Sequence, residues 1–406
     1  MHEASLSLAE LVGSAQEGAV MEMGETPGER FSATFQSLIT EGQTPPARLI
    51  ELLGSRDAFH ELMAGKRLPS LYEATALGAF FKVAPSVLLQ SKSPSMGVSF
   101  RLGALEGISD VSESVAHAAK LLAVDRLTRD WGHGEPTVSL SKFSPSKVWH
   151  DREAGEKTAS RLRAFLDIDD LDPIGDLTGL VESLGYPVEY RELPRDVHGI
   201  SVPEEWGDST AWVILINCGD NWARQRFTLA HELSHILQRD AGQVVVDRAT
   251  LEDRRPERIA DSFARNFLLP EDAVHHAYRM HGIIESYEQM ASFVTDLMLT
   301  FGVSRDATMY ALHETLGEFA NPEIIEACGK ARIADLMLVS GNVEQWVEVK
   351  QNEGHCFPSE RLTQQSLNSF AAGLVPLQAV ADVIADGDQE YAAEQLRAAG
   401  WDLVDA

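Results

Sequence analysis

Cysteine is scarce in this 406-residue chain: Cys218, Cys328 and Cys356 stand far apart, with no CxxC pair. That spacing indicates neither a disulfide framework nor a thiolate zinc site. Basic residues are also few, 34 Lys and Arg against 62 Asp and Glu, for a net charge of −28. A field of that sign repels nucleic-acid backbone and favours solubility, so any DNA contact needs a local surface that escapes it. No uninterrupted apolar run approaches the roughly 20 residues of a membrane span. The opening MHEASLSLAELVGSAQEGAV lacks a basic segment followed by a long apolar stretch, so no secretion signal is visible. These absences predict a soluble, cytoplasmic protein with no membrane partner. Hydrophobic residues make up 44% of the chain, enough for ordinary buried cores. Neither an internal repeat nor a low-complexity tract is present.

Residues 1–29 are polar, acidic and weakly patterned, and are expected to form a flexible arm. From 30 to 95 the pattern is helical in short pieces. RFSATFQSLITEG places Phe31, Phe35 and Leu38 at helical intervals, and PPARLIELLGS, RDAFHELMAGKRL and SLYEATALGAFFKV follow, each closed by Gly, Pro or Ser. Such pieces predict a small all-α module. KSPSMG at 92–97 reads as a linker, and residues 96–152 as linker and a helix near SESVAHAAKLLAVDRLTRDW.

The third region, 153–320, opens with a helix through ASRLRAFL and another in DPIGDLTGLVESLGY, which Asp172-Pro173 is expected to open and Gly185 to close. PVEYREL, HGISV and AWVILIN are β-rich runs bounded by Pro, Gly and Asp. Helical patterns return in RPERIADSFARNFLL, SYEQMASFVTDLMLTFG and SRDATMYALHETLG. Beyond 320, RIADLMLVS and QWVEVKQ alternate and predict a small sheet, with helices after them, so 321–406 is expected to be an α/β accessory region. His355-Cys356 in that region is read as incidental. The predicted class is α+β, mostly helical.

The stretch RFTLAHELSHILQRD at 226–240 carries the chemistry. His231 and His235 are four residues apart, so on a helix both imidazoles share a face and can converge on one ion. A hydrolytic zinc site needs three protein ligands and an open position for water. Glu232 is placed to take a proton from that water. An amphipathic helix that merely carries two histidines has the same pattern. A third ligand separates the two readings, and the next helix offers Glu257, with Asp261 one turn later to fix a histidine tautomer. A solvated carboxylate at a helix start accounts equally for Glu257 taken alone.

RQRFTLAHELSHIL followed by ERIADSFARNFLLP resembles the ImmA/IrrE metallopeptidases, whose pattern is RFTxAHELGHxxxH and then ExxANxFAxxLLMP. Arg226, Phe227, Thr228, Ala230, His231, Glu232, Leu233 and His235 match the first part; Glu257, Ala260, Phe263, Ala264, Leu268, Leu269 and Pro270 match the second. Ser234 replaces the usual Gly, and Asp261 the frequent Asn. The resemblance covers roughly 155–318 and implies a zincin-like domain with a small sheet, binding Zn²⁺ through His231, His235 and Glu257, with Glu232 as general base. His313 stands where an Arg is common; it and Tyr310 are candidate stabilisers of the transition state. The resemblance further implies a helix-turn-helix repressor as substrate. Strand AWVILIN is expected to offer an edge along which an extended substrate pairs.

Residues 30–95 resemble a helix-turn-helix domain of the lambda-repressor type, with GKRLPS as its turn. Arg56, His60, Lys66 and Arg67 are the candidate DNA contacts. Over 30–89 six basic residues face five acidic ones, which does not favour DNA binding and leaves as the alternative a module for protein–protein contact that pairs with the like domain of a partner repressor; a homodimer is a further expectation. The resulting expectation is a zinc endopeptidase acting on a repressor in stress- or phage-linked gene regulation. The alternative is a DNA- or protein-binding transcriptional regulator with an inactive or latent peptidase fold.

Overall fold

Four short strands form one sheet: β1 (Val188–Arg191), β2 (Val197–Trp206), β3 (Ser209–Asn217) and β4 (Val245–Arg248), in the order β1-β3-β2-β4. β1 runs parallel to β3; β2 is antiparallel to both β3 and β4. The computed structural model describes these strands within residues 111–130, 136–206, 209–238, 245–248, 255–316, 321–351 and 353–401, together with most of 31–39, 46–67 and 71–81. The expected arm at 1–29 and linker at 92–97 lie outside the described residues.

The chain divides into two units, 1–96 and 97–406. In the first, helices α1 (Pro46–Leu53), α2 (Arg56–Met63) and α3 (Leu71–Phe81) surround Phe31, Phe35, Leu49, Phe59, Leu62 and Leu77. The turn between α1 and α2 is two residues long. Gly54 takes a left-handed φ of 66°, and the Ser55 side chain caps α2 by accepting from the Ala58 amide at 3.2 Å.

In the second unit the AWVILIN run alternates between two cores. Trp212, Ile214 and Ile216 enter one; Ala211, Val213 and Leu215 enter the other. Successive side chains on a strand point to opposite faces, so a continuous apolar run marks a sheet covered on both sides. The expectation that AWVILIN offers a free edge is therefore corrected over its second half: β3 pairs with β2 from Ser209 to Ile216 and with β1 from Ile214 to Asn217.

One face is covered by α5 (Asp151–Phe165), α6 (Leu177–Ser183), α7 (Trp222–Gln238) and α8 (Arg255–Leu268), then α9 (Glu271–His281), α10 (Tyr287–Phe301), α11 (Arg305–Leu316) and α12 (Pro322–Lys330). Asp176, rather than Pro173, opens α6: its side chain accepts from the Gly179 amide. α5 and α8 cross closely because Gly155 sits at the contact, where a Cβ would fall on the backbone of Ile259 and Phe263. The opposite face is covered by α4 (Ser112–Asp130) and two helices from near the C-terminus, α15 (Glu360–Ala371) and α16 (Leu377–Ile384), followed by α17 (Gln389–Ala398).

The expected boundaries at 152/153 and 320/321 lie within the second unit, 97–406, in which α4 and α15–α16 supply the second layer on the sheet. The predicted strands beyond 331 are helices, α13 (Ile333–Ser340) and α14 (Val343–Val349), so the C-terminal region is helical and not α/β. A short apolar run such as IADLMLV does not distinguish a strand from a buried helical turn. Packing decides it: Leu336 and Met337 are buried with the α10 residues, and Asn342 donates to Thr295 and Asp296 of α10 at 2.9 and 2.8 Å. No helix among the described residues is long and apolar enough to cross a membrane.

Candidate metal centre

The packing of α7 brings the motif onto the sheet. Leu229, Ala230, Leu233, Ile236 and Leu237 bury the inner stripe. Arg226, at the start of the motif, is an anchor. Its guanidinium donates to the Ile174 and Gly175 carbonyls and lies against Gly302, the left-handed residue that ends α10. A Cβ at position 302 would collide with that guanidinium, so the loop before α6, α7 and α10 are locked together at one point.

His231 and His235 then lie one turn apart, both almost fully buried. Their Nε2 atoms are 3.1 Å from each other, and Glu257 Oε2 of α8 is 3.2 Å from the first and 3.5 Å from the second. Among the described residues this trio is the one group of His, Cys, Asp or Glu with metal-binding spacing. A tetrahedral ion with bonds of about 2.0–2.1 Å separates its ligands by roughly 3.3–3.4 Å. The three separations bracket that value, and the donor set, two imidazoles and one carboxylate, suits zinc. Three atoms with lone pairs converge on one point, where a proton or a cation must sit. Burial alone would raise the Glu257 carboxyl, but hydrogen bonds from the two histidines outweigh it and hold it down at about 2.

Behind this trio, the Nδ1 of His231 lies 3.0 Å from Asp261 Oδ1. Glu232 is fully buried and accepts a hydrogen bond from the Ser201 hydroxyl of β2. Ser201 and Gly199 escaped the sequence reading. A Cβ at Gly199 would stand 2.6 Å from the Thr228 methyl and 3.1 Å from Glu232 Oε1, so the glycine lets β2 approach α7 beside the glutamate. The available signal was the glycine inside HGISV, since an interior strand glycine marks a close backbone approach.

The remaining candidates lie elsewhere. Tyr310 is stacked between Arg265 and Arg152, whose guanidinium carbons lie 4.9 and 5.6 Å from its ring centre, and its described contacts do not reach the trio. His313 is exposed on α11. In the first unit Arg56, His60 and Lys66 are exposed, whereas Arg67 is tied to Glu61 and Glu73 at 2.9 and 2.7 Å.

The cysteine expectation is corrected. Cys218, directly after β3, pairs with Cys356 in a disulfide, with Cα atoms 5.5 Å apart across 138 residues of sequence. The C-terminal chain returns to the sheet there: Phe357 exchanges backbone hydrogen bonds with Tyr190 at the β1 edge, and the Gly354 amide donates to the Cys218 carbonyl. Cys356 is thus not incidental. Tertiary return of a distant segment leaves no trace in cysteine spacing.

Residues 188–313 match the IrrE N-terminal-like domain family, Peptidase_M78. This IrrE-like segment runs from β1 into α11, less than a third of the chain, and contains the trio together with Glu232 and Asp261. The family suggests a metallopeptidase-type function. No curated protein matches the chain.

Proposed function

We propose that the second unit is a zinc-dependent endopeptidase. The observation that carries this reading is the convergence of His231 Nε2, His235 Nε2 and Glu257 Oε2 within 3.1–3.5 Å of one another. In this reading those three residues hold the ion. Bound zinc supplies Lewis acidity towards a carbonyl and acidifies water. Asp261 accepts the Nδ1 proton of His231 and so leaves its Nε2 lone pair facing the ion. Ser201 holds one oxygen of Glu232, which takes a proton from the attacking water and delivers it to the departing amine.

The substrate proposed is a helix-turn-helix repressor presenting an extended segment. For edge pairing of that segment, β3 is closed on both sides over residues 214–216, and β4 is the edge strand nearest Ser201 in register. The first unit is proposed to contact DNA through Arg56 and His60, which are exposed one turn apart on α2. Arg67 is better suited to holding α2 to α3 than to a phosphate, because two carboxylates already occupy it.

Metal content by plasma mass spectrometry tests the central reading, with wild type beside His231→Ala and Glu232→Gln. About one zinc per chain, lost in His231→Ala and kept in Glu232→Gln, supports it. A wild type that binds no metal even when zinc is supplied overturns it and promotes the regulator with an inactive fold.

A further inference from the structure

Where α7 ends and α8 begins lies a cavity of about 440 Å³ that none of the metal donors lines. Gln238, the last residue of α7, meets there the first turn of α8 and the chain at 145–148, which precedes α5. Two polar atoms of this lining have no partner. Ser146 is 5% exposed, and its hydroxyl makes no hydrogen bond among the described residues; nor does the buried Nε2 of Gln238. A buried donor left unmet costs free energy, so such atoms call for a partner from outside the fold. Water can meet them, and the charges around them say what displaces it.

Those charges run against the balance of the chain. In a protein of net charge −28, no carboxylate lines the cavity among the described residues, whereas Lys147 and Arg255 do. Arg255 is oriented from behind: its guanidinium lies 5.0 Å from the centre of the Trp149 ring and 3.4 Å from Asp151 Oδ1. Asp151 is shared with Arg258 at 2.8 Å, so these three cations and one carboxylate leave two positive charges. Ammonium, guanidinium, hydroxyl and amide N–H can all donate to one acceptor group. Val148, Pro256 and Ile259 add apolar surface to the same space.

We propose that this cavity binds a small organic phosphate, with its phosphoryl group on Ser146, Lys147, Gln238 and Arg255 and its organic part on the apolar lining. A phosphomonoester carries roughly 1.5–2 negative charges at neutral pH and three strong acceptor oxygens, which matches the charge and the donors. A carboxylate brings about half that charge, and inorganic phosphate alone leaves the apolar surface uncovered. The site is separate from the metal centre and does not rest on the peptidase reading. Gln238 is three residues beyond His235, and Pro256 directly precedes Glu257, so a bound ligand joins the ends of the two helices that hold the trio.

Calorimetric titration of the full chain as purified with phenyl phosphate, inorganic phosphate and benzoate tests this. Phenyl phosphate is expected to bind about tenfold or more tighter than inorganic phosphate, through burial of its ring. It should exceed benzoate by a similar factor. Lys147→Met and Ser146→Ala should each weaken phenyl phosphate about tenfold, the worth of one hydrogen bond to a charged group. Ser146→Ala should melt no lower than the wild type, since the hydroxyl it removes has no partner within the fold, and this separates a lost contact from lost structure. Phosphate also ligates zinc, so His231→Ala is titrated beside the wild type and should bind phenyl phosphate equally. Absence of saturable binding, no preference over benzoate or inorganic phosphate, or an affinity unchanged in Lys147→Met and Ser146→Ala overturns the site. Binding that is lost in His231→Ala overturns it too, and puts the phosphate on the metal.

Discussion

Asp261 Oδ1 lies 3.0 Å from His231 Nδ1, on the side of the imidazole opposite the point where His235 and Glu257 converge. An acceptor there fixes the ring's tautomer and its orientation at once. Partners of this kind are worth about 10–100-fold in metal affinity. Asp261→Ala is expected to weaken zinc binding by that factor, measured by competition with a chelator of known affinity. Glu257→Gln should weaken it more, because it replaces an anionic donor with a neutral amide and does not merely remove its support. If Asp261→Ala and wild type compete equally, the carboxylate plays no part in holding the histidine.

Glu232 is gripped from β2, and this grip is testable without knowing the natural substrate. Ser201→Ala removes the hydroxyl that donates to a fully buried carboxylate. Zinc content should stay at the wild-type level, while hydrolysis of denatured casein falls roughly tenfold, a fraction of the 10²–10⁴ that a positioned general base contributes. Gly199→Ala acts by volume. The new methyl meets Thr228 and Glu232 at less than ordinary contact distance, so β2 must shift, at a cost of about 1–3 kcal/mol in chemical denaturation. Wild-type stability in Gly199→Ala would show that β2 and α7 are not so closely apposed.

The trio was legible in the sequence because helical periodicity fixes which residues share a face: His231 with His235, and Glu257 with Asp261. Strands β1 to β3 were legible from their β-branched runs. What closes over them was not. Ser201 reaches Glu232 through a pairing of sheet and helix that no local spacing encodes. Val343–Val349 alternates in hydrophobicity yet is helical, because Asn342 and Leu336 are held against α10. The back layer of the sheet joins residues near 120 to residues near 380, and separations of that size have no periodic signature. The resemblance extended the reading as far as the motif matched, and no further.

Glu182, at the end of α6, ties the C-terminal segment to the sheet. Its carboxylate accepts from the Ser359 hydroxyl, from the Val188 amide at 3.2 Å and from the Arg361 amide at 3.0 Å. Arg361 in turn donates to Asp125 of α4 at 3.0 Å. Removing the acceptor leaves buried donors unmet, which costs about 1–3 kcal/mol. Glu182→Ala should therefore lower the unfolding free energy by that amount and speed amide exchange in 359–371. Glu360→Ala, an exposed neighbour, should stay within about 0.5 kcal/mol of wild type. Equal losses in the two variants would mean that the segment is held by apolar packing alone.

The three cysteines should separate cleanly in an alkylation experiment. Burial pushes the Cys328 thiol up to about 11, so below that pH it stays neutral, and a neutral buried thiol is a poor nucleophile. Native protein treated with maleimide at pH 8 should remain unlabelled at Cys328. Cys218 and Cys356 should be unlabelled too until dithiothreitol is added, after which Cys356, on the exposed side of the pair, reacts first. A link across 138 residues restricts the unfolded chain, so reduction should lower stability by roughly 2–5 kcal/mol. The Cys218→Ser/Cys356→Ser variant should match the reduced wild type and ignore dithiothreitol. Because Gly354 and Phe357 bond to Cys218 and Tyr190 through backbone atoms, the segment should stay docked in that variant, with amide exchange slow at Phe357. Fast exchange there would mean that the covalent link, rather than the sheet edge, holds the C-terminal chain in place.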